Sequence, residues 1–233
     1  WQRQKHDPES VQEHLEIALS KVADHPVRVF CAGRTDSGVH GVGQVVHFDT
    51  ESERSEKGWI FGCNTNLPDS ISVRWAKPVV DEFHARFSAT SRAYRYIIYN
   101  HPVRPALGIQ HLTWNYRSLD LELMQRAAGV LIGEHDFSSF QAQGCQAKSP
   151  VRTIHHISLA RHGRLIVMDI QANAFLQHMV RNIAGVLMAI GSGKEPLEWV
   201  NEVLAHRNRT LGGVTAPPYG LSFMKVGSPE HFG

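Results

Sequence analysis

The chain has 233 residues, 42% hydrophobic and 20% charged, enough apolar material to bury one large or two small cores. Its apolar stretches are interrupted by charge before they reach bilayer length, so no transmembrane segment is expected. A formal net charge of +2 does not demand a polyanionic partner, yet 17 of the 24 basic residues are Arg, whose planar fork suits phosphates and bases. Cys31, Cys63 and Cys145 are odd in number and form no C-x-x-C pair. That usage indicates neither a disulfide framework nor a Cys-rich zinc site, and it suits a reducing, cytoplasmic setting.

Along the chain, Ser10 and Glu13 form a capping-box pattern ahead of Val11, Leu15, Ala18, Leu19 and Val22 on one helical face, predicting a helix from Val11 to Ala23. Val27 to Ala32 reads as a strand running into a glycine-bounded loop, Gly33 to Gly38, and Gln44 to Phe48 resumes strand character. Ile71 to Ala76 and Tyr94 to Tyr99 are further strand candidates. His101-Pro102 and Pro105 mark a restart, which divides the chain into 1–100, carrying the glycine-bounded loop, and 101–233. In the second half, Leu121 to Ile132 reads as a helix with Gly133 placed to end it. Val151 to Arg161 and Leu165 to Ala172 read as a hairpin turning at His162-Gly163. Phe175 to Ile190 and Leu197 to His206 read as helices, and Leu221 to Val226 as a closing strand. The sum is an α+β protein of two similar-sized halves with an antiparallel sheet.

Several familiar sites fail by letter. Gly191-Ser192-Gly193-Lys194 resembles a phosphate loop, but Met188 stands where the loop needs glycine and Glu195 follows the lysine. It reads as a helix end with a loop. Gly41-x-Gly43 lacks the third glycine of a dinucleotide fingerprint, since position 46 is Val. Among the 15 histidines only His155-His156 cluster, and neighbours on a strand face opposite ways, so no metal site is expected.

The segment with chemical promise is Cys31 to His47. Arg34, Thr35 and Asp36 sit in a loop between two strands, the kind of scaffolded loop on which catalytic groups are commonly placed. An arginine two residues away helps keep an aspartate ionised. A turn aspartate also often does no more than bond its own backbone. Spacing alone leaves both readings open.

The residues resemble a known family at this point. Gly33-Arg34-Thr35-Asp36-x-Gly38-Val39-His40 is similar to the signature of the TruA family of tRNA pseudouridine synthases. Phe83-His84-Ala85-Arg86-Phe87-Ser88-Ala89 with Arg92-x-Tyr94-x-Tyr96 resembles a second block of that family, and Gly133-Glu134-x-Asp136-Phe137-x-Ser139-Phe140 a third. Ala174-Phe175-Leu176-x-x-Met179-Val180-Arg181-Asn182 and Ala216-Pro217-Pro218-x-Gly220-Leu221 resemble the last two, in the family's order. Trp1-Gln2-Arg3-Gln4 is similar to an early Gly-Trp-Gln element. The strand with a Tyr-Asp-Gly motif that the family carries before it is not in this sequence. The numbering is therefore expected to begin inside a longer natural chain.

The resemblance implies a continuous antiparallel sheet flanked by helices, and isomerisation of uridine to pseudouridine at positions 38 to 40 of the tRNA anticodon stem-loop. It implies no cofactor and no metal, and a homodimer gripping one tRNA arm. Asp36 is then the catalytic carboxylate. Arg181 matches the basic residue that pairs with it, and Tyr94 the active-site tyrosine, with Tyr96 on the same strand face. Arg34 and Leu221 are implied to bind substrate, Arg34 by contacting phosphate or filling the gap left by the flipped nucleotide and Leu221 as an apolar wall. A structural salt bridge to Asp36 is the competing reading of Arg34. Arg86 and Arg92 are candidates for gripping RNA, with Arg95, Arg152, Arg161, Arg164, Arg207 and Arg209 as further phosphate contacts. The rival readings are a non-catalytic tRNA-binding or folding protein on the same scaffold, and a hydrolase pairing Asp36 with His40 or His47.

Overall fold

A computed structural model describes residues 1–4 and 9–229. Contacts divide the chain into two compact units, one of Trp1–Thr35, Gln44–Ala89 and Ser228–Gly233, the other of Asp36–Gly43 and Thr90–Gly227. This division differs from the 100/101 boundary read from the prolines. The strand that opens after Ala89 is central to the second unit's sheet, and the loop segment 36–43 groups with that sheet.

In the first unit, α1 (Val11–Ala23) begins where the capping box placed it, with the Ser10 hydroxyl accepting from the Glu13 N–H at 3.2 Å. Such a cap stabilises a helix by ~1 kcal/mol. Strand β1 (Phe30–Cys31) pairs antiparallel with β3 (Val46–His47), and α2 (Glu56–Asn66) packs on α1. A side chain at Gly62 would meet Val22 Cγ2 at 2.8 Å, so the glycine lets the two helices approach. Leu15, Ala18, Leu19, Val27, Val29 and Cys63 form the core. Buried Glu16 is partnered: its Oε1 accepts from the Val29 N–H and the Gln12 amide.

The first unit departs from expectation in three places. The strands expected over 27–32 and 44–48 pair for only two residues each. The strand expected at Ile71 to Ala76 is absent, because the Val73 N–H and C=O are both taken by the Asn64 side chain instead of a neighbouring strand. Helix α2 went unread: its 11 residues include two glycines and two asparagines, which weaken the helical signal.

The second unit is built on a seven-stranded sheet, mainly antiparallel, of order β2-β9-β4-β8-β7-β6. These are β2 (His40–Gly41), β4 (Ser91–Asn100), β6 (Gly133–Asp136), β7 (Val151–His162), β8 (Leu165–Ala172) and β9 (Leu221–Gly227). Strand β5 (Thr113–Asn115) pairs parallel with the end of β4, continuing the edge that β9 covers along its start. Tyr94, Tyr96 and Ile98 are buried on one face of β4, as period-two alternation requires. Helices α3 (Leu121–Val130), α4 (Met179–Gly191) and α5 (Trp199–His206) complete the unit. Met124, Ile183 and Leu187 join Ile154, Ile166, Met168 and Phe223 in its core.

The α+β class and the mainly antiparallel sheet are as the sequence indicated. The strands, however, divide into a two-stranded and a seven-stranded sheet, not one continuous one, because β1 and β3 pair only with each other among the described residues. Gly191 to Lys194 is a helix end, with the Ser192 N–H returned to the Met188 C=O and Gly193 at φ +72°. No helix of the described residues is long and apolar enough to cross a membrane.

Candidate active site

Asp36 opens a four-residue turn in which the Val39 N–H donates to the Asp36 C=O at 3.1 Å. Gly38 stands at φ +82° in that turn, and a side chain on it would meet Pro218 Cγ at 3.0 Å and the Tyr219 ring at 3.2 Å. Glycine is therefore needed twice over, for its backbone and for the close approach. The chain then enters β2, which pairs parallel with β9 through His40 with Ser222 and Gly41 with Phe223. Since the turn is closed by backbone, the Asp36 carboxylate is left for other partners.

Those partners come from the start of α4. Arg181 Nη1 donates to Asp36 Oδ2 at 3.1 Å, and His178 Nε2 lies 3.3 Å from the same oxygen. Arg181 also donates from Nε to the Ala216 C=O at 2.8 Å, and its own C=O accepts from the Ala216 N–H. Its side chain is 14% exposed and the Asp36 side chain 29%, so solvent reaches the carboxylate more readily than the guanidinium. A cation this enclosed needs a partner, and it has two acceptors.

The segment supplying Ala216 is itself anchored to α4. A side chain at Gly185 would stand 1.9 Å from the Val214 C=O, so only glycine admits that strand of backbone. Arg209 donates to the Gly213 C=O, to Asn182 Oδ1 and to Thr215 Oγ1. Asn182, 1% exposed, returns its amide N–H to the Phe140 C=O at 2.7 Å. Four of the motif blocks thus converge in one unit: the Asp36 turn, Phe140, the α4 start and Ala216 to Leu221.

Other candidates are placed less centrally. Tyr94 is buried in β4 with its ring edge-on to Phe175 and Phe223, at centroid distances of 5.1 and 4.9 Å. Tyr96 is fully buried, its hydroxyl shared with Thr113 Oγ1 at 2.6 Å and the Pro217 C=O at 2.8 Å. Burial raises its ionisation above the ordinary phenol range. Leu221 is buried at the start of β9, opposite Tyr96. Arg34 is exposed, and Arg86, also exposed, lies with its guanidinium 5.8 Å from the Phe87 ring. Arg92 donates to the Asn173 C=O at 3.0 Å.

Several further arginines are held by the protein. Arg95 makes a two-pronged bond to Asp169 at 2.7 and 3.0 Å, Arg161 donates to the Leu119 C=O, and Arg209 serves the network above. His40, considered as a partner for Asp36, has its Nε2 2.6 Å from the Gln110 C=O instead. His155 and His156 are both exposed where β7 shifts register, and the described residues contain no group of three or more His, Cys, Asp or Glu able to hold a metal.

His178 is the site residue that sequence reading missed. The letters carried no clear signal for it, since it falls at an unmatched position between Leu176 and Met179 of the quoted block. The predicted helix from Phe175 hid it. In the structure α4 starts only at Met179, because His178 has left-handed backbone and lies in a turn closed by the Met179 N–H on the Leu176 C=O.

A family profile described as tRNA pseudouridine synthase matches residues 1–88 and 127–227. A protein of Pseudomonas aeruginosa called tRNA pseudouridine synthase A is 61% identical over 232 residues, covering all of this chain and 81% of its own length. Proteins of the same name from Alcanivorax borkumensis and Actinobacillus succinogenes are 56% and 58% identical, with 87% and 88% of their lengths covered. Identity of this degree along the whole chain, with a family profile spanning both units, leads to one assignment: the chain belongs to the tRNA pseudouridine synthase family of isomerases.

Proposed function

We propose that the chain converts uridine to pseudouridine at positions 38 to 40 of the tRNA anticodon stem-loop, with Asp36 as the carboxylate at the reacting centre. The observation that carries this reading is the pairing of Asp36 with Arg181 at 3.1 Å, in a chain whose relatives share the name tRNA pseudouridine synthase A. The guanidinium fixes one oxygen of the carboxylate in place, and a positioned carboxylate is what either nucleophilic attack or proton abstraction requires.

The reaction is an isomerisation. The bond from ribose C1′ to uracil N1 breaks, the base turns, and C1′ joins C5. The proton on C5 departs and N1 is left carrying a proton, so atoms and electrons balance without an outside reactant. Asp36 can act by attack on C1′, by addition to the ring or as a base that assists elimination. Each route needs the carboxylate held against an extruded nucleotide, since C1′ and C5 are out of reach in a stacked stem. Extrusion costs ~ a few kcal/mol, which backbone contacts supply.

Tyr94 and Leu221 are proposed as the apolar wall beside the base, with the Tyr94 hydroxyl a candidate acceptor for the C5 proton. Their support is the family resemblance together with their positions on β4 and β9, whose Tyr94–Phe223 pairing adjoins the β2 strand that follows Asp36. Arg34, Arg86 and Arg92 are proposed as phosphate contacts. A homodimer working in the cytoplasm belongs to the same reading, with the resemblance as its support.

The test uses tRNA carrying tritium on uracil C5. The reading expects release from a tRNA with uridine at positions 38 to 40 and none when those uridines are replaced by cytidine. Release that persists after the replacement contradicts the assigned positions.

A further inference from the structure

The backbone at His178 is unlike that of any other helix start among the described residues. Among the described residues, three other than glycine have positive φ: Asp24, His178 and Arg207. Asp24 and Arg207 are the C-caps of α1 and α5, where a left-handed residue is an ordinary way to end a helix. His178 is instead the N-cap of α4, at φ 62° and ψ 2°. Extended backbone and a short oxygen-bearing side chain are the usual solution there. Ser10, Ser55 and Asp120 adopt it at α1, α2 and α3, each accepting a bond from the N–H three residues on. His178 makes no such side-chain bond, a lack that α4 shares with α5, so the left-handed conformation brings α4 no side-chain cap.

Strain of this kind persists where the surroundings enforce it, and it collects at functional sites. What the conformation supplies here is position. It sets the imidazole Nε2 3.3 Å from Asp36 Oδ2, the oxygen to which Arg181 already donates. The described residues of this unit make no hydrogen bond to the other oxygen, Oδ1. Arg181 therefore bonds one carboxylate oxygen, the His178 ring approaches that same oxygen from just before the helix, and the described residues of this unit leave its twin without a hydrogen bond.

We propose that His178 is a positioning residue for Asp36: with Arg181 it fixes Oδ2, and Oδ1 is the oxygen presented to the nucleotide. The proposal rests on the function proposed above and adds to it which carboxylate atom reacts and what sets its orientation. It also accounts for a histidine where a serine or aspartate would cap the helix better. A carboxylate side chain would repel Asp36, and a serine is too short to reach it.

Two substitutions separate this role from a structural one. His178→Gly removes the ring and relieves the left-handed backbone, so the protein melts no lower than wild type. Its kcat falls by ~10- to 100-fold, as small losses of alignment at a reacting centre do, with little change in KM. His178→Asn tolerates the same backbone and returns a polar group beside Asp36, recovering part of kcat. Wild-type kcat in His178→Gly overturns the proposal, and so does a matched fall in melting temperature and kcat with no recovery by Asn. A second readout needs no activity. In histidine labelled with 15N, the ring signals identified as His178 by their loss in His178→Gly shift on Asp36→Ala. Signals indifferent to Asp36 overturn the proposal even in an active enzyme. A wild-type protein with the coupling intact but no tritium release counts instead against the tRNA reading.

Discussion

Arg181 and Asp36 are 145 positions apart, yet one guanidinium edge donates to the Asp36 carboxylate at 3.1 Å while another donates to the Ala216 C=O at 2.8 Å. The arginine is thereby fixed to backbone before it meets its acid partner. A lysine has no second edge to fix in this way. Arg181→Lys is expected to fold and to lose most of its kcat. Arg181→Met is expected to lose activity further and to cost about 1–2 kcal/mol, less than the ~3–5 kcal/mol of a fully buried pair because Asp36 is partly exposed. Denaturant melts and single-turnover rates on one tRNA check both.

Glycine positions give a contrast in stability. Gly185→Ala places a methyl group 1.9 Å from the Val214 C=O and must push away the backbone that holds Ala216. It is expected to cost about 3 kcal/mol and to lower activity with it. Gly129→Ala, in α3 with nothing within 4 Å of the added carbon, is expected to stabilise by about 0.5–1 kcal/mol and leave activity unchanged. Paired thermal melts decide.

The first unit carries a pH dependence of its own. Burial, reinforced by nearby His84, holds the His47 imidazole below its ordinary 6.5, and its Nδ1 accepts the Ala85 N–H at 3.1 Å. On acidification the unfolded chain takes up this proton first. The associated stability is therefore complete above the ordinary imidazole value and is lost as pH falls through the lower folded one. The melting temperature is expected to drop between about pH 7 and pH 5, and His47→Asn, which keeps an acceptor but cannot charge, to flatten that drop. An unchanged slope in the variant contradicts the assignment.

Two arginines differ in their surroundings. Arg95 is committed to Asp169 across β4 and β8, whereas exposed Arg86 lies beside an exposed aromatic ring. Arg86→Ala is expected to weaken tRNA binding and reduce the slope of log affinity against log salt by about 1. Arg95→Ala is expected to leave the slope intact and cost only about 0.5 kcal/mol, since both partners of its ion pair are well exposed.

How far the sequence revealed this arrangement depended on the range of the forces involved. Helix α1 and strand β8 have the predicted ends because a capping box and a hairpin turn at His162-Gly163 are local signals. Strand β5 was missed because a three-residue strand is decided by its neighbour β4 rather than by its own letters. At the site, Asp36 and Arg181 were legible through motif blocks, but spacing said nothing of their contact across 145 residues. His178 was hidden by its own apolar neighbours, which fit a helix that the left-handed backbone does not allow. Arg95 and Arg209 were read as phosphate contacts because an internal ion pair and a free cation have the same one-letter code.

The most direct test of the central claim compares tritium release and tRNA affinity for the wild-type chain and Asp36→Ala. The account predicts release by the wild-type chain, none by Asp36→Ala, and binding of the same tRNA retained by both. Release by Asp36→Ala at the wild-type rate contradicts it.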